Sequence, residues 1–372
     1  MKFTIDSDTL AKRVKLLSKV ANSQTVPILN NLLFEVEDNK LKITGSDSEN
    51  SLKTEIPLAV ALGELQSKVC INCRTIADAL NNIPQQPITI NIENGMVSLK
   101  YQNGECNFSC IAADEYPATY NLTESESSIL IPANMLVENV TRCIPFLGKE
   151  DLRPVLCCVL FDIKEENTVI VGCDGGTLMK NTLDIKCENP FSFCLPQKPA
   201  TLLKQVFGNT SELTNIRTNG TYAEFKGNEW KLTCRLQEGR YPNYESVIPQ
   251  NYENGAVVDK TAMVSALKRV QPMGNQASNL VKLYFNDGTV EISSNDIDFA
   301  TSAKENIPCD YNGDSLAIGV KGSRLLEILE LIPGKQVDID VSESARPLLL
   351  SPVEKQENQQ IFALQMPMLL VD

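Results

Sequence analysis

Two cysteine pairs and a scatter of carboxylates are the side chains in this sequence that could do chemistry. "CINC" sets Cys70 and Cys73 at CxxC spacing, and "CNFSC" sets Cys106 and Cys110 at CxxxC. Structural zinc asks for paired CxxC units about 15–20 residues apart, and a redox dithiol asks for CxxC opening a helix in a thioredoxin-like unit. Here the second pair begins 33 residues after Cys73, inside an alternating strand pattern. Buried thiols acting as small hydrophobes fit that spacing better. The chain contains no histidine, which removes the commonest general base, the Ser-His-Asp triad and every His-ligated metal site. Asp47 with Glu49, or Asp174, offers carboxylates for a magnesium-dependent nuclease or phosphatase. Yet Asp47, Asp174 and Asp296 stand at equivalent places in a repeat, which suits a turn or cap made by architecture. A catalytic site would be expected once.

The elements that position these residues come from that repeat. "PILNNLLF" at 27–34 returns as "PVLCCVLF" at 154–161, and "GSD" at 45–47 returns as "GCD" at 172–174, both at an offset of 127. A weaker third copy is "NLVKLYF" at 279–285, followed by "SSND" at 293–296. In each copy an apolar strand passes through a polar turn (Asp38-Asn39, Glu166-Asn167, Asp287-Gly288) into a second strand, the chemistry of a hairpin. Helical patterns flank each hairpin, with apolar residues at i, i+3, i+4 and i+7, as in Leu10, Val14 and Leu17 or Leu325, Ile328 and Leu329. Copies close with "EYP", "RYP" and "QMP". The uncharged tail from Ile361 to Val371 is then the last strand of the third copy. Acidic, polar stretches at 123–128 and 248–255 read as linkers. The expected organisation is an α+β fold of three domains, 1–125, 126–250 and 251–372, each with two helices and roughly eight strands.

At 372 residues, 42% hydrophobic and 22% charged, the chain is globular and long enough for two or three domains. No run approaches the roughly 20 apolar residues of a membrane span, and the N-terminus is not patterned as a signal peptide. A cytoplasmic protein with reduced thiols is expected.

A net charge of −13 speaks against nucleic acid until its distribution is counted. Six helical segments (7–21, 72–83, 132–149, 196–208, 259–273 and 321–332) carry fourteen basic and six acidic side chains, a net +8, leaving −21 elsewhere. The basic residues are Lys12, Arg13, Lys15, Lys19, Arg74, Arg142, Lys149, Lys198, Lys204, Lys260, Lys268, Arg269, Lys321 and Arg324. Helix propensity favours Lys and Arg but favours Glu as well, and Glu is scarce here. A positive helical face attracts phosphates without reading sequence. No cluster of Arg, Asn or Gln suggests base readout. A repeat scaffold without DNA contact would account for the copies but not for this split of charge.

In order along the chain, "TVPILNNLLFEV", "GSDSE", "GCDGGTLM", "RYPNYESVIP", "AIG" and the terminal "MPM" closely resemble the bacterial DNA polymerase III beta subunit family, the sliding clamps. The resemblance implies a homodimeric ring of three clamp domains per protomer, with inner helices around duplex DNA and outer strands. It implies a processivity factor without catalytic activity, cofactor or metal, and no membrane. The cations expected to face DNA are those counted above, without Lys260, Lys321 and Arg324. It also implies partners (replicative polymerase, clamp loader and repair proteins) that dock short linear peptides in a pocket. By motif position that pocket comprises Leu156, Cys173, Gly175, Gly176, Thr177, Leu178, Pro242, Val247, Ala345, Pro347, Leu364, Met366, Pro367 and Met368. Cys106 and Phe108 of domain one, with Pro272 and Met273 of domain three, are expected at the protomer interface, Phe108 as its anchor. The chain departs from the family pattern at Gly176, Thr177, Ser246, Lys321, Arg324 and Gln24, and in its greasier end after "MPM".

Overall fold

The computed structural model describes residues 1–58, 61–62, 67–122, 127–149, 152–208, 210–249, 252, 254–311 and 313–370. Residues 123–126 of the first expected linker, 250, 251 and 253 of the second, and 371–372 of the tail lie outside them.

Three times the chain runs strand, helix, four strands, helix, three strands, with a short fifth strand added between the helices of the first copy. The first copy is β1 (Lys2–Asp6), α1 (Ser7–Leu17), β2 (Asn31–Glu37), β3 (Lys40–Ser46), β4 (Asn50–Pro57), a short β5 (Ala61–Leu62) and β6 (Ser67–Asn72). It ends with α2 (Cys73–Leu80), β7 (Pro87–Glu93), β8 (Met96–Tyr101) and β9 (Gly104–Ala112). The second opens with β10 (Ser127–Pro132), α3 (Ala133–Cys143), β11 (Cys158–Ile163), β12 (Thr168–Cys173), β13 (Thr177–Leu183) and β14 (Phe191–Pro196). There follow α4 (Gln197–Phe207), β15 (Leu213–Thr218), β16 (Tyr222–Lys226) and β17 (Trp230–Arg235). The third is β18 (Asn254–Asp259), α5 (Lys260–Val270), β19 (Leu280–Asn286), β20 (Thr289–Asp296), β21 (Thr301–Tyr311) and β22 (Leu316–Lys321). It closes with α6 (Gly322–Leu331), β23 (Gln336–Val341), β24 (Leu348–Pro352) and β25 (Gln359–Gln365).

Local chemistry accounts for the boundaries. The Asp6 carboxylate accepts from Thr9 N at 2.9 Å to start α1, Asn72 accepts from Thr75 N to start α2, and Asp259 accepts from Ala262 N to start α5. The Thr9 backbone bond also pulls the Asp6 pKa below the usual carboxylate range. Leu10, Val14 and Leu17 are buried, as the 3.6-residue spacing requires. α3 and α5 stop short of the expected ends at 149 and 273, because Pro145 and Pro272 turn the chain into 3₁₀ segments Ile144–Phe146 and Gln271–Met273. A proline offers no N–H to continue the i→i−4 ladder. The tail is strand only to Gln365. Beyond it Met366 N donates to Gly176 O at 2.9 Å and Met368 N to Gly319 O at 2.7 Å, while Leu369 is 90% exposed.

Two compact units form, residues 1–137 with 201–236, and residues 138–200 with 237–372. The first holds a 13-stranded sheet in the order β10-β15-β16-β17-β4-β3-β2-β6-β9-β8-β7-β1-β5. The second holds a 12-stranded sheet in the order β14-β11-β12-β13-β25-β24-β23-β18-β21-β20-β19-β22. Strands of successive copies therefore pair directly. β17 runs antiparallel to β4 with Leu232 opposite Leu52, and β13 runs antiparallel to β25 with Leu178 opposite Leu364. All four leucines are buried, worth roughly 1.5–3 kcal/mol each.

The three repeated aspartates are turn residues. Asp47 Oδ1 accepts from Glu49 N and Asn50 N, Asp174 Oδ1 from Gly176 N and Thr177 N, and Asp296 Oδ1 from Asp298 N and Phe299 N. Each closes an Asx turn between two strands. Among the described residues no group of three or more His, Cys, Asp or Glu side chains could hold a metal ion. All twelve cysteines are thiols and nine are buried, Cys70, Cys73 and Cys110 among them. Burial pushes the Cys70 and Cys73 thiols up to about 11, so neither is a reactive thiolate at neutral pH.

Candidate functional site

Of the expected pocket residues, those of the β12–β13 turn and those of the chain end meet in the second unit, along β13 and β25. Antiparallel register sets Thr177 opposite Gln365 and Leu178 opposite Leu364, which brings the turn after β12 beside the chain end. Leu178 and Leu364 join Cys158, Leu160, Val169, Val171, Cys194 and Tyr244 in one buried cluster, with Cys173 and Tyr241 packed against it. Gly175 takes φ +92°, which an L side chain rarely adopts, and a Cβ there would meet nothing within 4 Å. The space above the turn is open. Met366 is 45% exposed and Val247 49% exposed, and Pro242 is exposed beside buried Tyr244. Pro367 and Met368 are half-buried. Pro347 O accepts from the Tyr252 hydroxyl at 3.3 Å, and Ala345 is exposed two residues earlier.

Of the residues expected to line the pocket, only Leu156 also lines the adjoining cavity of about 420 Å³. Its other walls are Leu147, Gly148, Lys149, Leu152, Arg153, Asp174 and Arg324. Sequence reasoning did not place these in the pocket, except that Arg324 was among the departures from the family pattern expected to bear on it. The signal available was Asp174 itself, which shares a turn with Gly175 and Gly176 and whose second oxygen accepts from Arg324 in an ion pair at 2.8 Å.

The helical cations divide into two kinds. Lys12, Lys15, Lys19, Arg74, Lys149, Lys198, Lys204, Lys268 and Arg269 are exposed. Lys12 pairs with Asp8, Arg74 with Asp78, Lys268 with Glu330 and Arg269 with the half-buried Glu305, and pairs this open to water are worth little. Arg142 is a correction. It is only 5% exposed, paired with Glu138 one helical turn back and bonded to Asn139, and burial pulls its pKa down. Its i,i+4 partner was visible in the sequence, but its burial was not. Arg13 is also turned inward, with a side chain 14% exposed, pairing with Glu229 at 2.6 Å and stacking 4.9 Å above the Trp230 ring.

Within the sheets, β9 and β21 each have a stretch with no neighbour on one side among the described residues. In the first unit residues 104–109 of β9 pair with β8 on one side, and β6 reaches only residues 110–112 on the other. Cys106 and Phe108 are half-buried on one face of that edge, with Ile111 48% exposed nearby in sequence. In the second unit residues 301–308 of β21 pair with β20, and β18 reaches only 309–311. Pro272 is exposed and Met273 43% exposed, and the Met273 carbonyl accepts from Thr301 Oγ1 at the start of β21. Ile297 and Phe299, 87% and 79% exposed in the β20–β21 turn, extend this apolar surface and were missed from sequence.

Family models for the DNA polymerase III beta subunit match in order along the chain: the N-terminal domain at residues 1–122, the central domain at 122–243 and the C-terminal domain at 245–369. The "Beta sliding clamp" of Bacillus subtilis is 25% identical over 361 residues, covering 94% of this chain and 95% of that protein. The "Beta sliding clamp" of Pseudomonas aeruginosa is 25% identical over 374 residues, covering both chains in full. A crystal structure of the DNA polymerase sliding clamp from Pseudomonas aeruginosa with ligand superposes with a TM-score of 0.93 at 25% identity over the full length of both. With three clamp domains built on six helices and two antiparallel sheets, the chain belongs to the DNA polymerase III beta subunit family, the bacterial sliding clamps.

Proposed function

We propose that two copies of this chain close into a ring around duplex DNA and tether the replicative polymerase to it. The observation that carries this reading is the placement of charge. An acidic chain sets Lys12, Lys15, Lys19, Arg74, Lys149, Lys198 and Lys204 exposed on or beside its helices. Such a face holds phosphates loosely and without sequence preference, so the duplex can slide. Lys268 and Arg269 are exposed likewise on α5, while Arg142 is buried. A clamp makes no covalent change. Encirclement converts repeated polymerase rebinding into an effectively intramolecular event, and processivity follows from effective concentration.

The ring closes where β9 of one protomer meets β21 of the other, each offering an open edge with apolar side chains (Cys106 and Phe108; Pro272 and Met273). Unpaired strand edges seek such partners. Polymerase, clamp loader and repair proteins dock short linear peptides in the groove bounded by Gly175–Leu178 and Leu364–Met368. The exposed Met366 suits a surface that accommodates several ligands. The three domains divide near residues 125 and 250. The protein works in the cytoplasm; none of the described helices is long and apolar enough to cross a membrane.

Loading the protein onto nicked circular DNA with its clamp loader, then cutting the circle, tests the ring. Bound protein is expected to survive moderately high salt on the circle and to leave once ends exist. Equal retention before and after cutting would mean that contact, not topology, holds it. Immediate loss from the circle at that salt would count against encirclement too.

A further inference from the structure

Arg324 is fixed from three sides at the wall of the 420 Å³ cavity. Its Nη1 donates to Pro145 O at 2.8 Å and to Glu327 Oε2 at 2.7 Å, and its Nη2 donates to Asp174 Oδ2 at 2.8 Å. Asp174 is fixed in turn, because its Oδ1 closes the turn to Gly176 and Thr177. A guanidinium carries five N–H donors. The Nε–H and one Nη2–H of Arg324 have no acceptor among the described residues. The Nε–H lies on the edge of the guanidinium plane that it shares with Nη2, the edge whose spacing matches the two oxygens of a carboxylate.

The surroundings favour the same ligand. Lys149 and Arg153 add two cations to the cavity wall, and Asp174, the one carboxylate among the described residues that line it, is already engaged by the turn and by Arg324. Leu147, Leu152 and Leu156 supply an apolar surface beside them. An anion entering here meets a guanidinium whose side chain is 21% exposed and whose position is set before binding, so little ordering remains to be done.

We infer that Arg324 is a specificity-determining residue that selects partner peptides carrying an aspartate or glutamate side chain next to an apolar residue. The carboxylate takes the Nε–H and Nη2–H edge while the bonds to Asp174 and Glu327 stay in place. This rests on the partner groove proposed above.

The test probes the full-length protein with a positional-scanning library of acetylated, C-amidated hexapeptides. The best binder is then remade as a pair differing only in Asp→Asn or Glu→Gln. The wild type is expected to prefer the acidic peptide by roughly tenfold, the strength of one charge-assisted hydrogen-bonded contact. Arg324→Gln should remove that preference and leave the amide peptide within about twofold, since only the carboxylate uses the fork. Arg324→Lys should restore only part of it, a point charge without the planar edge. If the acid and amide peptides bind alike while Met366→Asp still abolishes both, the groove stands and the inference falls. If binding ignores Met366→Asp, or no library peptide binds, the groove reading itself falls and takes the inference with it. A free-acid copy of the amide peptide is the third probe: if it binds better while the acidic side chain makes no difference, Arg324 reads chain ends and the side-chain selection is wrong.

Discussion

Gly172→Ala is expected to destabilise the second unit by about 3 kcal/mol or more, the upper end of the range for overpacking a core. A Cβ built on Gly172 would stand 2.4 Å from Cys143 O and 3.0 Å from Cys143 Cβ. The obstructing atom is a backbone carbonyl at the end of α3, and Cys143 is fully buried, so no flexible side chain can swing away. Relief would require the helix end to lift from β12 or the strand to bend. Denaturant unfolding of the purified protein measures the cost. A variant whose midpoint and slope match the wild type would show that this approach is not tight.

The same approach recurs in the other copies, with the glycine on either side of it. In the first copy Gly45 on β3 faces Leu17 O, 3.0 Å from where its Cβ would be. In the third copy the equivalent strand residue is Ser294, and the glycine has moved to the segment after α5. A Cβ on Gly274 would fall 1.8 Å from Ser294 Oγ, which is held in place by its hydrogen bond to Leu280 O at 2.7 Å. Gly274→Ala is therefore expected to destabilise, and Ser294→Gly in the same chain to recover part of the loss. A coupling of roughly 1–3 kcal/mol in the double-mutant cycle fits residues in direct contact. Additive effects would refute the compensation.

This interchange shows what the sequence displayed and what it hid. The repeat, the hairpin turns and the six amphipathic helices were legible because hydrophobic period and turn chemistry are local. "GSD", "GCD" and "SND" even announced the three Asx turns. That Ser294 tolerates its side chain because residue 274 lacks one is a relation across 20 positions, and no period encodes it. Pairing of β17 with β4 and of β13 with β25 was hidden for the same reason. Alternation tells a strand which face to bury, not which neighbour to take. Arg142 and Arg324 counted equally as helical cations. Only the fold sends one inside against Glu138 and sets the other 150 residues away from its partner Asp174 at a cavity wall.

Phe108→Asp is expected to weaken the proposed dimer by at least about 30-fold, the cost of losing a central aromatic anchor of 2 kcal/mol or more. Phe108 lies in register with buried Val97 on β8, so its ring is fixed from within the protomer and half open without. Its face of β9 carries Cys106 on one side and buried Cys110 on the other, while Glu105, Asn107 and Ser109 occupy the exposed face. A carboxylate at position 108 would have to be desolvated against the other protomer's Pro272 and Met273, a surface offering no cation to pair with it among those two residues. Position 108 is half-exposed in the monomer, so the aspartate can keep its carboxylate in water there and folding should survive. Ser109→Asp, on the opposite face, serves as the control with equal charge. Sedimentation over a dilution series should show the Phe108 variant dissociating at concentrations where the control and wild type remain dimers. On circular DNA the variant should be lost in salt as quickly as from linear DNA, because an open crescent has no topology to keep it there. A Phe108→Asp protein that stays dimeric would move the interface away from β9, and one that dissociates yet remains on circles would separate dimerisation from DNA retention.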